Sequence, residues 1–317
     1  WTGLHSMSVP WADVPLIEAM AEAGDAPLRI YNSVTPDGAE PLFASGQRSV
    51  ADGRIITRAV KFYADGALGS RGAALFAPYA DAANTTGLMQ VTNEQIVPIY
   101  EAALKAGIQI TTHAIGDRGN ASVAEWYEAA QKAVPASERP NGTDVRWRIE
   151  HAQILRPSDY PYFDELPIIA SMQPSHAIGD FHFAGDRLGE DRLNGAYAWK
   201  SLVDRGVIVV GGSDAPVERG DPLIEFYAAV ARRDLNGFQG PDWHPEEAVS
   251  RETALKMFTL WPAYASFRED ELGTIEVGKR AAFTAFNIDL MTVPAADIPK
   301  GHATLTIVDG KIVYQAD

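Results

Sequence analysis

Short β-branched runs alternate with amphipathic stretches along most of this chain, and that alternation limits the folds open to it more than any other feature. Strand-like segments are 28–34 (LRIYNSV), 59–64 (AVKFYA), 108–113 (IQITTH), 145–151 (VRWRIEH), 167–173 (PIIASMQ) and 207–214 (VIVVGGSD), with 3–8 (GLHSMS) as the tail of an earlier strand. Several are apolar throughout, the pattern of strands covered on both faces. Residues 94–106, 120–133, 193–205, 221–233 and 250–260 carry apolar side chains at helical spacing, and 12–23 supplies a further helix. Thr92 and Gln95 stand in capping-box spacing ahead of 94–106, Gly107 ends that helix, and Pro98 weakens its first turn. Strands alternating with helices predict parallel βαβ units, an α/β fold.

The pattern changes after about Gly273. Residues 273–276, 281–287 and 305–315 read as strands, and Asp309-Gly310 between apolar runs is a hairpin signal. The division expected is therefore 1–272 as the α/β unit and 273–317 as a small antiparallel one. A chain of 317 residues can bury the core this needs.

Composition narrows the chemistry. With no cysteine, disulfides, thiolate zinc sites and a cysteine nucleophile are excluded, so any metal is held by nitrogen and oxygen. Lys and Arg total 27 against 42 Asp and Glu, a net charge of −15 that repels nucleic acid and anionic membranes. No apolar run approaches the ~18 residues of a transmembrane helix. Residues 1–7 lack the basic start and apolar run of a signal peptide, so the cytoplasm is the expected compartment.

Four polar residues stand at or near the ends of apolar strands: Lys61, His113, His151 and Asp214. In a parallel barrel the carboxyl ends of the strands gather on one face, where active sites are built. Two imidazoles and a carboxylate suit a divalent ion such as zinc, and a lysine joins them as a ligand once carbamylated by carbon dioxide. Taken singly, each residue also reads as a polar cap or a snorkelling cation; four together at four strand ends point to a shared metal site. Arg71, in the loop GALGSRGAA, could bind a substrate carbonyl or make a loop salt bridge. Asp65 and Asp117 could orient ligands or cap turns, and His176 and Asp180 follow their strand into a loop that could line the pocket. His5, His182, His244 and His302 are weaker candidates, and His244 and His302 read as structural or solvent-exposed.

The ordered set VKFYADGALGSRGAAL, THAIGDRGN, RIEHAQIL, ASMQPSHAIGD and VVGGSDAPVE resembles the YtcJ-like branch of the amidohydrolase superfamily, which includes N-substituted formamide deformylases; ETALKMFT and GTIEVGK are similar to its C-terminal region. The resemblance implies a distorted (β/α)8 TIM-like barrel with a metal centre of one or two ions, zinc first among the candidates, plus a small β-sandwich domain. It implies Lys61 as the bridging, carbamylated lysine of strand four and His113 and His151 as metal ligands on strands five and six. Asp214 becomes the strand-eight aspartate that binds metal and takes the proton from the attacking water. Arg71 falls in the loop after strand four, and His176 and Asp180 in the loop after strand seven. One departure stands out: the first-strand His-x-His pair is nowhere in the sequence. A smaller one is Ala281-Ala282, where the family usually has Ala-Asp. The expectation is a C-terminal portion holding strands two to eight, completed by a missing N-terminal segment or an oligomer partner.

The activity expected is hydrolysis of an amide- or formamide-type C–N bond in a small-molecule substrate, with Asp214 as base and Arg71 or His176 stabilising the oxyanion. The alternatives are an esterase or lactonase on the same site, and a catalytically silent fragment that serves as a binding or scaffold partner.

Overall fold

The computed structural model describes residues 1–240 and 243–316. Its strands are β1 (Gly3–Val9), β2 (Arg29–Val34), the short β3 (Arg48–Val50), β4 (Ile55–Tyr63), β5 (Gln109–Ala114), β6 (Arg148–His151), β7 (Ile169–Met172) and β8 (Val209–Gly211). Apart from β3, which runs antiparallel on β4, they form a curled parallel sheet in the order β1-β2-β4-β5-β6-β7-β8. This is the TIM-like architecture expected, with β1 and β8 unpaired with each other among the described residues. Three further strands, β9 (Phe283–Phe286), β10 (Ala303–Val308) and β11 (Lys311–Gln315), make a separate antiparallel sheet in the order β11-β10-β9.

The helices cover the outer face of the barrel sheet, and two of them are anchored through hydroxyl groups. Helix Asn93–Ala106 carries the full capping box between Thr92 and Gln95, tolerates Pro98, and ends at Gly107 in a left-handed conformation. Its Tyr100 and the Tyr127 of helix Asp117–Ala133 pack edge-to-face on Trp147, with ring centroids 5.5 and 4.9 Å away. The Tyr127 hydroxyl donates to the Arg148 carbonyl at 2.8 Å, and the Tyr100 hydroxyl sits 2.7 Å from Thr112 Oγ1. Such aromatic pairs contribute ~1 kcal/mol each beyond the area they bury, and here they fix β5 and β6 against their helices.

Two expected elements take another form. Residues 193–205 are not one helix: a turn of 3-10 helix (Glu190–Gly195) precedes the α-helix Trp199–Asp204. A Cβ on Gly195 would lie 1.6 Å from the Leu155 carbonyl oxygen, and Leu155 N donates to Gly195 O at 2.9 Å. The chain is thus pulled onto the segment after β6 and cannot coil. Residues 273–276 form no strand either, because Gly273 turns with φ 89° against Thr259 and Leu260. Among the described residues no helix is long and apolar enough to cross a membrane.

Candidate metal centre

Sheet register assembles the site. Tyr63 pairs with His113, His113 with Glu150, and Ala114 with His151. Lys61 precedes Tyr63 by two on β4 and so faces the same way, into the barrel. Arg148, Glu150 and His151 all line one cavity of about 1670 Å3, which strict strand alternation would forbid. His151 adopts φ 76°, and this left-handed backbone at the strand end turns its ring to the interior beside Glu150. Asp214 leaves β8 in a similar conformation, φ 55°. His176 arrives from helix Pro174–Asp180, which follows β7.

The potential ligand atoms of His151, His176 and Asp214 lie within 4.8 Å of one another, with His176 Nε2 3.9 Å from Asp214 Oδ2. The His113 ring meets His151 edge-on at 4.5 Å between centroids, and His176 stacks on His151 at 5.7 Å. Burial drives His113 to a pKa of about 3 and His176 to about 4, and holds His151 well below the usual range. All three are therefore neutral imidazoles near pH 7, the form that binds metal.

Neighbouring acceptors decide which nitrogen each ring offers. Gln173 Nε2 donates to the Ser171 carbonyl at 3.3 Å, which orients its oxygen to accept from His151 Nδ1 at 2.8 Å. The lone pair of His151 is then on Nε2. His113 Nε2 faces only acceptors, the Gly66 carbonyl at 3.5 Å and Asp65 at 3.4 Å, which leaves Nδ1 free to ligate. His176 Nε2 is buried without any hydrogen-bond partner among the described residues. The neutral imidazoles of His151 and His176, the latter with an orphaned nitrogen, beside the Asp214 carboxylate fit a divalent cation, and His113 stands against His151 outside that cluster.

The other sequence candidates are distributed unequally. Lys61 is 4% exposed, and burial lowers its ammonium to about 8 against the opposing pull of Glu150 and Asp214; its Nζ lies 4.0 Å from the Tyr63 ring centroid. Burial raises the Asp214 carboxyl, with Lys61 opposing. Asp65 is fully buried and accepts from the backbone N–H groups of Ala74, Ile115 and Gly116 at 2.8, 3.0 and 2.8 Å, locking the loop after β4 to the loop after β5. Asp117 accepts from Phe76 N and Arg118 N at a helix start, a capping role. Arg71 is not brought to the centre: it makes a two-pronged pair with Asp81 at 3.0 and 2.7 Å, the loop salt bridge. Asp180 lines the cavity.

Sequence reasoning missed Gln173, Arg148 and Glu150. Arg148 and Glu150, 2.9 Å apart, are buried in the barrel interior, and Arg148 Nη1 lies 2.7 Å from Nδ1 of His5, which also lines the cavity. Two charges at a spacing of two inside an apolar strand were the available signal. Gln173 carried none, since an amide after a strand marks nothing by type.

A TIM-like barrel whose mouth gathers imidazole and carboxylate donors has the architecture of the barrel metal-dependent hydrolases. The chain belongs to the amidohydrolase family, whose sequence model matches residues 7–314. It is 34% identical over 257 residues to the YtcJ protein of Bacillus subtilis, covering 81% of this chain and 47% of that relative. It is 30% identical over 214 residues to the N-substituted formamide deformylase of Arthrobacter pascens, covering 67% and 38%. It also superposes on the crystal structure of an uncharacterized metal-dependent hydrolase from Pyrococcus furiosus with TM-score 0.76 and 28% identity, covering 88% of this chain and 55% of that one. The chain spans less than half the length of the two curated relatives.

Proposed function

We propose that this chain carries the metal-binding half of a hydrolase active site that cleaves an amide- or formamide-type C–N bond of a small molecule. The convergence of His151, His176 and Asp214 ligand atoms within 4.8 Å is the observation that carries this reading. His151 and His176 through Nε2, Asp214 through its carboxylate and His113 through Nδ1 would hold one or two divalent ions, zinc among those that imidazole and carboxylate donors accept. When bound, such an ion polarises the substrate carbonyl and lowers the pKa of its water to about 7. Asp214, with its carboxyl raised by burial, takes the proton of the attacking water and delivers it to the leaving nitrogen. A lysine lowered to about 8 by burial presents neutral amine to carbon dioxide, which supports a carbamylated Lys61 that would add a carboxylate-like ligand. Carbamylation would remove the positive charge that Nζ places over the Tyr63 ring.

The division into a barrel, 1–272, and part of a β-sandwich, 273–317, belongs to this reading, as does a cytoplasmic setting. So does a further strand between β1 and β8, from another segment or a second copy, because both edges present unpaired backbone groups. Those open edges also favour the second reading, a silent fragment that acts as a binding partner. Metal analysis separates the two. The purified chain should retain near-stoichiometric zinc, iron or manganese after dialysis, and His151→Ala should weaken retention by at least about tenfold. Release of formate from N-butylformamide should disappear with Asp214→Asn. Metal content equal to a buffer blank would overturn the hydrolase reading.

A further inference from the structure

We propose that Asp180 selects substrates bearing a hydrogen-bond-donating group, best an ammonium, about one helical turn from the bond to be cut; this rests on the hydrolytic reading of the site. His176 and Asp180 are four residues apart on helix Pro174–Asp180 and therefore share a face, with Cβ atoms ~6 Å apart. Asp180 and Gln153 line the same cavity as His151, His176 and Asp214. Both internal donors to Asp180 are spent on one oxygen: Gln153 Nε2 donates to Oδ2 at 2.7 Å, and the buried Tyr197 hydroxyl donates to Oδ2 as well. Among the described residues, Oδ1 has no hydrogen-bond partner and no Lys or Arg forms an ion pair with the carboxylate.

A carboxylate oriented this firmly, with one oxygen open to a cavity and no cation beside it, lacks half of an interaction. Burial accordingly pushes its pKa up to about 6, and Glu218, on the same cavity wall, adds to that rise. A ligand ammonium supplies the missing partner, whereas a ligand carboxylate would face two like charges. The same cavity also has apolar lining. Leu68, Ile115 and Phe183 line it, and Phe183 packs so closely over Gly69 that a Cβ there would sit 3.2 Å from its ring. A short methylene chain fits such a wall, carrying a formamide at one end and an ammonium at the other.

Three ligands with the same three-methylene spacer test this: N-(γ-aminopropyl)formamide, N-butylformamide and N-formyl-γ-aminobutyrate. Calorimetric binding to the metal-loaded chain should favour the first over the second by about tenfold, the yield of one charge-assisted hydrogen bond, with the third weakest. Asp180→Asn, which keeps an acceptor for Gln153 and Tyr197, should bring the first two within about twofold. If circular dichroism shows that variant misfolded, Asp180→Ser removes the charge in less space. An equal or reversed order in the wild-type chain overturns the proposal, and so does a preference that survives loss of the carboxylate. Formate release is measured separately: binding in the expected order with no hydrolysis of any ligand would defeat the hydrolytic reading while upholding the role of Asp180 in recognition.

Discussion

Glu225 shows how closely single residues hold the machinery in place. It is 1% exposed and accepts from Ser175 N at 3.1 Å and from the Ser175 hydroxyl, tying helix Pro222–Ala231 to the helix that carries His176. Burial is the dominant influence on it and pushes its pKa from 4.5 to about 7. The folded chain therefore holds this proton more tightly than the unfolded one. Its contribution to stability is complete below pH 4.5 and is lost as pH rises to about 7, a change of ~3 kcal/mol at most. Glu225→Gln keeps the shape without the charge, so urea unfolding across that pH window should give a shallower decline than in the wild-type chain. At this scale Lys61, His113, His151 and Asp214 stand out as candidates because polar side chains interrupt apolar strands, and the structure gathers His151 and Asp214 with His176. Arg71 misled because a guanidinium in a glycine-rich loop looks alike whether it meets a substrate or Asp81.

Among the elements, the parallel strands and the long helices were legible to within a few residues, since their cores repeat every two or every 3.6 positions. The break in 193–205 was not, because it depends on the carbonyl of Leu155, some forty residues away in sequence. Gly116 has the same kind of long-range constraint. A Cβ there would lie 2.0 Å from the Ala74 carbonyl oxygen and 2.7 Å from Ala74 N, and backbone cannot rotate aside as a side chain can. Gly116→Ala should separate the loop after β4 from the start of helix Asp117–Ala133, breaking the Asp65 lock behind His113. The expected loss is about 2–3 kcal/mol in denaturant unfolding, together with weaker metal retention. Unchanged stability would mean that the two loops do not need this contact.

For the molecule as a whole, the unpaired edges of β1 and β8 are the dominant feature. The interior between them contains Arg148, Glu150 and Lys61, buried charges that gain from a closed wall. The chain should therefore self-associate, or bind a separately supplied strand, in a concentration-dependent way. Multi-angle light scattering measures this directly; a lone 34.3 kDa species at every concentration, with a single sharp unfolding transition, would refute it.

The small sheet bears on the order in which the molecule comes apart. Asp309 sits at φ 52° in the turn between β10 and β11, where aspartate tolerates a left-handed backbone. Its carboxylate pairs with Arg29, the first residue of β2, and at 2.7 Å with Arg54, just ahead of β4. One turn residue thus clamps the starting ends of two adjacent barrel strands. Peeling the hairpin away must break both ion pairs, so the two sheets should unfold in one calorimetric transition despite sharing no ladder, and Asp309→Ala should split or broaden it.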